Sequence, residues 1–377
     1  MKKSTTLSFL TILIMSAILL SGCGMFKGEQ ETMEDMDPPP EQANLTDDLE
    51  SITDEELDAD GDASEEEGEE SGEENQDSDA TGETVERTLY LLDKNGLVVP
   101  LEVDLPTPNN KEVAKQVLEY LVQDGPITSM LPNGFQAVLP SGTEVLQLNL
   151  EEDGTLVVDL SEEFANYEAE KEKQVLEAMT FTLTQFENVN NIKIWINGHE
   201  QQTMPVNGTP LTEGYSRANG INVHVADAVD FMESKATTLY FPMQSNDEEI
   251  YYVPITQHVP IEGDNELQSV VQALLEGPSF NLPLQKYINT GAQLENEPTL
   301  NEDGTLALKF NENILANSEK GVIADEVMQS IVLTMTELEN VEAIEVSAGE
   351  HQAVMNESGQ PYDEPVSRDM VAPKESI

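Results

Sequence analysis

Basic residues and cysteine are scarce in this chain. Against 74 Asp and Glu it carries 17 Lys and Arg, a formal net charge of -57. So few cations cannot neutralise a phosphate backbone and release its counterions, which excludes nucleic acid as a partner. The acidity itself reads as solvation and says little about fold. The one cysteine is Cys23. A lone thiol near the start leaves the folded part without disulfides, a thiolate metal site or a cysteine nucleophile, so stability has to come from ordinary apolar cores. Histidine is scarce too: His199, His224, His258 and His351. His199-Glu200 lacks the second histidine that a helical zinc motif needs four residues on. No serine sits in a Gly-x-Ser-x-Gly elbow, and no Ser-x-x-Lys set resembles that of penicillin-interacting enzymes. Gly125 and Gly277 are each followed by proline, which removes a donor that a phosphate cradle would use. Carboxylate pairs such as Glu162 and Glu163 are inevitable at this acidity and carry no weight. The expectation is no catalytic residue, no metal and no cofactor.

Long apolar runs are also missing, with one exception. After Lys2 and Lys3, Leu7 to Leu20 runs apolar for roughly fourteen residues, short of the ~20 needed to span hydrocarbon and suited to the core of a signal peptide. Leu20-Ser21-Gly22-Cys23 follows directly and resembles the lipobox of bacterial lipoproteins. Residues 1–22 are therefore expected to be a leader, with Cys23 as the site of lipidation. A diacyl group there supplies two buried chains, enough to hold a protein stably on the extracytoplasmic face of a cell membrane. Residues 23–84 are expected to be an acidic tether, with too little apolar surface to offset the cost of ordering. As a flexible coil it would span about 45 Å, and more under its own charge repulsion.

The remainder matches itself at a period of about 150 residues. Thr88-Leu89-Tyr90 recurs as Thr238-Leu239-Tyr240, and Val99-Pro100 and Leu105-Pro106 as Val253-Pro254 and Val259-Pro260. Asp124-Gly125-Pro126 answers to Glu276-Gly277-Pro278, where a Gly-Pro pair stops a helix. Glu152-Asp153-Gly154-Thr155-Leu156 returns as Glu302-Asp303-Gly304-Thr305-Leu306, with Asp-Gly suited to a tight turn. Glu187-Asn188-Val189 matches Glu339-Asn340-Val341, and Ser216-Arg217 matches Ser367-Arg368. So many coincidences in one order indicate duplication. The expected domains are 85–217 and 237–370, with a seam at 218–236 and a tail at 371–377.

Each repeat reads as strands, helix, strands, helix, strand. In the first, Thr88–Leu92 and Leu97–Val103 are predicted strands joined by a two-residue turn at Asn95-Gly96. Val113, Val117, Leu118, Leu121 and Val122 recur at helical spacing, as do Val175, Met179, Leu183 and Phe186. A hairpin turns at Asp153-Gly154. Ile192, Ile194 and Ile196 alternate as a strand, with a return strand expected near Met204–Val206. The fold class is α/β of the α+β type, a tandem of small domains with two helices on one face of a mixed sheet. Trp195 points away from its isoleucine neighbours. His199 and His351 hold nearly matching places after the last strand of each repeat and read as turn residues.

The leader, the acidic spacer and two domains marked by Thr-Leu-Tyr, (Asp/Glu)-Gly-Pro, Gly-Thr-Leu and Asn-Val together resemble the tandem GerMN domain family of sporulation and spore germination lipoproteins, from about Glu86 to Met370. The resemblance implies a fold similar to the ring-building motifs of secretion systems. It also implies a non-enzymatic role in the space between mother cell and forespore, in assembling the channel complex that joins their membranes. It brings no catalytic residues. The expected partners are the membrane, through the lipid, and proteins of that sporulation channel. The alternative is a module that binds peptidoglycan or cortex in a groove between the repeats, lined by Trp195, Tyr215 or Tyr251.

Overall fold

The computed structural model describes residues 84–371, apart from 109–111, 225–229, 231, 262, 264 and 280. The leader, Cys23, the acidic tether and the tail beyond 371 lie outside the described residues.

The first repeat opens with an antiparallel hairpin, β1 (Thr84–Leu92) and β2 (Val98–Pro106), with Leu89 opposite Leu101. Helix α1 (Val113–Glu119) follows, then the hairpin β3 (Val145–Leu150) and β4 (Thr155–Leu160), helix α2 (Glu172–Leu183), and strands β5 (Asn191–Ile196) and β6 (His199–Glu200). The second repeat gives the hairpin β7 (Ser234–Gln244) and β8 (Ile250–Pro260), helix α3 (Glu266–Glu276), strands β9 (Thr299–Leu300) and β10 (Thr305–Phe310), helix α4 (Asp325–Met335), and strands β11 (Ala343–Ala348) and β12 (Val366–Ser367). A last turn of helix, α5 (Arg368–Val371), closes the described chain.

Each repeat holds a mixed four-stranded sheet, ordered β3-β4-β5-β6 and β12-β11-β10-β9. The long strands run parallel, Leu156 beside Ile192 and Leu306 beside Ile344, while the outer ones run antiparallel. The Asp-Gly turns form as expected: Asp153 and Asp303 accept the backbone N–H of Thr155 and Thr305 at 2.9 and 3.0 Å. Gly154 and Gly304 take φ of +83° and +80°, and a Cβ on Gly154 would clash with Asn190 Nδ2.

The opening hairpins do not join these sheets, being two-stranded sheets of their own. Each packs on the late helix of its repeat, which also contacts the mixed sheet through β5 or β11. Sandwiched in this way, α2 is buried at every position from Val175 to Leu183, and α4 from Ser330 to Met335. A helix covered on all sides needs apolar or small uncharged residues all round, and these segments are almost free of charge. Tyr90 N donates to Thr182 Oγ1, and Tyr240 N to Thr334 Oγ1, both at 3.0 Å. Thr182→Val and Thr334→Val should each lower unfolding stability by about 2 kcal/mol in urea titrations, because each strands a buried N–H. Thr180→Val is the control: its buried hydroxyl has no hydrogen-bond partner, and Val332 already stands at the matching position of the second repeat. A loss there as large as at Thr182 would count against this account.

Three details depart from the sequence expectation. Helix α1 ends at Glu119, and Val122 instead bridges to Leu139, so the apolar stripe continues through irregular backbone. The return strand is His199–Glu200, directly after Asn197-Gly198, while Met204–Val206 lies in a turn. The opening turn is longer than two residues, since Asp93 N bonds Leu97 O at 2.8 Å and the Asp93 carboxylate accepts Asn95 N and Leu97 N within it.

Candidate functional site

The two repeats meet hairpin to hairpin. Val98 and Val99, adjacent in β2, are both fully buried, so this strand is covered on both faces. Val99 and Phe135 of the first repeat belong to the core of the second. In β8, Tyr251, Tyr252, Val253 and Ile255 are buried in turn. Phe135 meets Tyr251 edge-on with centroids 5.1 Å apart, and the Tyr251 hydroxyl donates to Asp93 at 2.9 Å. Burial, then the Asp93 carboxylate, push that phenol well above its ordinary pKa. At the rim Lys94 Nζ donates to Gln244 O at 3.0 Å, and Asn133 Nδ2 to Asp247 at 3.1 Å.

Asn222 stitches this contact. Its side chain accepts from Val98 N at 2.8 Å and donates to Val98 O at 2.7 Å and Pro254 O at 2.8 Å, bridging β2 and β8. Its own N–H donates to Glu177 Oε2 at 3.1 Å. Glu177, on α2, is only 3 % exposed. Burial pushes its carboxyl up to about 7, against the smaller opposing pull of the Asn222 N–H and Lys173.

Beside this seam lies a cleft of about 410 Å³ lined by both repeats. Tyr90 and Tyr240, matching residues of β1 and β7, face into it together with Arg217 and Arg368. The chain has three arginines, Arg87 being the other, so two of the three stand here. They do the same work in each repeat. Arg217 donates from Nε to Thr184 Oγ1 at 2.8 Å and from Nη2 to Phe181 O at 3.2 Å, and lies 4.6 Å over the Phe181 ring. Arg368 donates to Thr336 Oγ1 and Leu333 O, both at 3.2 Å, and lies 5.0 Å over Tyr240. Each latches the end of its repeat to the last carbonyls of the late helix, where a cation also meets the negative end of the helix dipole. The planar guanidinium suits this double task of stacking and forked donation. Burial disfavours the Arg368 cation, but Tyr240, Glu337 and Tyr90 outweigh it and raise its pKa. Burial also raises Tyr90 and Tyr240.

Of the residues expected in a groove between repeats, Tyr251 lines the cleft and Trp195 and Tyr215 do not. Tyr215 is buried in the first repeat's own core. Trp195 lies half-buried on β5, paired with Asp159 and Glu200, its buried indole N–H without a partner. His199 and His351 do stand directly after matching turns, bridged to Ile196 and Ala348, but their rings bond different carbonyls, Asn197 O and Ser318 O. Tyr90, Tyr240, Arg217 and Arg368 stood in the sequence as repeat markers, Thr-Leu-Tyr and Ser-Arg, without being read as site residues. Among the described residues, no three His, Cys, Asp or Glu stand together so as to hold a metal, and no helix is long and apolar enough to cross a membrane.

The family model for sporulation and spore germination, Germane, matches residues 88–202 and again 238–353. The spore germination protein GerM of Bacillus subtilis (strain 168) is 37% identical over 355 residues, covering 94% of this chain and 93% of that protein. The solved structure of the tandem GerMN domains of the sporulation protein GerM from Bacillus subtilis is 40% identical, with a TM-score of 0.68, covering 76% of this chain and 97% of that one. The mixed α/β tandem architecture is shared with it.

Proposed function

Because the chain belongs to the Germane family of sporulation and spore germination proteins, we propose that it is a non-catalytic assembly factor, lipid-anchored through Cys23 to the mother cell membrane and facing the space between mother cell and forespore. There it helps to build the channel complex joining the two membranes. The observation that carries this reading is the seam. Hairpin buried on hairpin, with Asn222 bonding both, makes one block of two similar domains, a shape suited to holding partners at fixed spacing. The acidic residues between Cys23 and the first strand serve as the leash. Deleting the gene in a sporulating strain and imaging tagged channel proteins is the direct experiment, with loss of their focused localisation as the expected result. Normal foci in the deletion strain would end the proposal. Cys23→Ser should release the protein from the membrane fraction and reproduce the deletion phenotype.

The inter-repeat cleft supports a second reading, a module that binds peptidoglycan or cortex. It predicts retention of the purified protein on wall material, and a protein that washes through would dispose of it.

A further inference from the structure

The two latches are built alike but are not neutralised alike. In the second repeat Glu337 follows Thr336, accepts the Tyr240 hydroxyl at 2.6 Å and pairs with Arg368 at 2.8 Å. In the first repeat Gln185 stands in that place, its amide donating to Thr88 O at 2.8 Å and Thr182 O at 3.1 Å. Arg217 keeps its contacts to Thr184 and Phe181, but among the described residues no carboxylate lies within ion-pair distance of it. The helix latch accounts for the Arg217 Nε and Nη2 donors. It does not account for a charge left unpaired in the wall of a cleft, in a chain of net charge -57.

The rest of the lining limits what could pair with it. Glu249 stands on the same cleft and would repel a ligand of several negative charges, such as a phosphate chain. Pro100, Pro132, Phe135 and Tyr251 offer apolar surface for a side chain adjoining a single carboxylate. A peptide presents that combination.

We propose that the cleft is a docking site for an extended protein segment carrying an Asp, Glu or C-terminal carboxylate next to an apolar residue. The carboxylate occupies beside Arg217 the position that Glu337 occupies beside Arg368. The bond is charge-assisted, and the planar fork of Arg217 favours carboxylate geometry over a neutral amide. This inference deepens the assembly reading and rests on it for the presence of a protein partner.

With three arginines in the chain, the Nε–H region of a 15N spectrum is simple enough to follow Arg217 directly. Acetyl-Ala-Leu-Glu-amide and acetyl-Ala-Leu-Gln-amide would be titrated into the purified chain. The Arg217 signal should move with the glutamate peptide and respond at least tenfold more weakly to the glutamine peptide. Gln185→Glu supplies the missing carboxylate from within and should weaken the glutamate peptide at least tenfold, while unchanged Arg87 and Arg368 signals report an intact fold. Equal binding of the two peptides, no movement of Arg217 at millimolar peptide, or full affinity in Gln185→Glu would overturn the proposal. So would a muropeptide bearing free stem carboxylates that outcompetes the linear peptide, since it would assign the site to the wall. In sporulating cells Gln185→Glu should scatter channel foci as the deletion does. Normal foci in Gln185→Glu with scattered foci in the deletion strain would sink the docking site alone and leave the assembly reading standing.

Discussion

Replacing Asn222 with alanine should cost about 3 kcal/mol and loosen the two repeats from one another. Its side chain makes three hydrogen bonds, two with Val98 and one with Pro254, that together bridge the seam, and their loss leaves the Val98 N–H, the Val98 carbonyl and the Pro254 carbonyl without their partner. Each stranded buried group costs about 1–3 kcal/mol, partly recovered where water can enter. Asn222 also sits at φ +47°, a left-handed conformation that asparagine tolerates better than alanine. Asn222→Gly separates the two causes: it removes the backbone strain but not the lost bonds, so it should recover only about 1 kcal/mol. Denaturant unfolding gives the magnitudes, and amide exchange gives the location, with Val98 N–H the first to lose protection. An Asn222→Ala variant as stable as the parent, with Val98 still protected, would show that apolar burial alone holds the repeats together.

Stability should also fall as the pH rises from 4.5 to about 7, through Glu177. In the folded chain burial holds its carboxyl up to about 7, against 4.5 for the ordinary group. Between those values the folded chain keeps a proton that the unfolded chain has released, so unfolding gains ground with rising pH and the penalty is complete above about 7. The difference corresponds to roughly 3 kcal/mol. The Asn222 N–H and Lys173 are the groups that limit it, and Tyr215, raised first by its own burial, is raised further by the Glu177 charge. Glu177→Gln keeps an acceptor for the Asn222 N–H and has nothing to titrate, so it should match the parent at pH 5 and exceed it at pH 8. Glu172, buried on the same helix, works in another window. Burial raises its carboxyl, but bonds from Thr209, Asn207 and Tyr167 prevail and leave it lowered, so its contribution is lost only in acid below the ordinary value. Parallel pH profiles of the parent and Glu177→Gln between 5 and 8 would show that the carboxyl is not desolvated as its position requires.

Much of this architecture could be read from residue order because duplication lets each repeat check the other. The Asp-Gly turns, the isoleucine ladder of β5 and the two late helices are local patterns whose period and turn chemistry survive folding. The relation between the repeats was harder to read, because it depends on surfaces far apart in sequence. Yet a signal was there. Leu97, Val98, Val99 and Leu101 do not alternate with polar residues as a strand with one wet face should, nor do Tyr251 to Ile255. Each hairpin therefore needed cover on both sides, and each supplies the other's. Arg217 and Arg368 were visible as matching residues, but neither spacing nor composition says that they stack on Phe181 and Tyr240 and reach one cleft. Trp195 was open to two readings, an exposed contact or packing beneath the return strand, and only the fold decides between them: it lies half-buried beside the return strand β6.

The latch has a further consequence for a chain that is made, and begins to fold, amino end first. The first repeat can close as soon as Arg217 emerges, since Phe181, Thr184 and Tyr90 precede it. The outer row of β2 is then complete but uncovered, and it stays wet until Tyr251 to Ile255 have been delivered. During that interval one finished domain offers other nascent chains an oily strip meant for its own sequel. Protection against mispairing is thus a matter of timing, set by how quickly the residues between Arg217 and Ile255 follow.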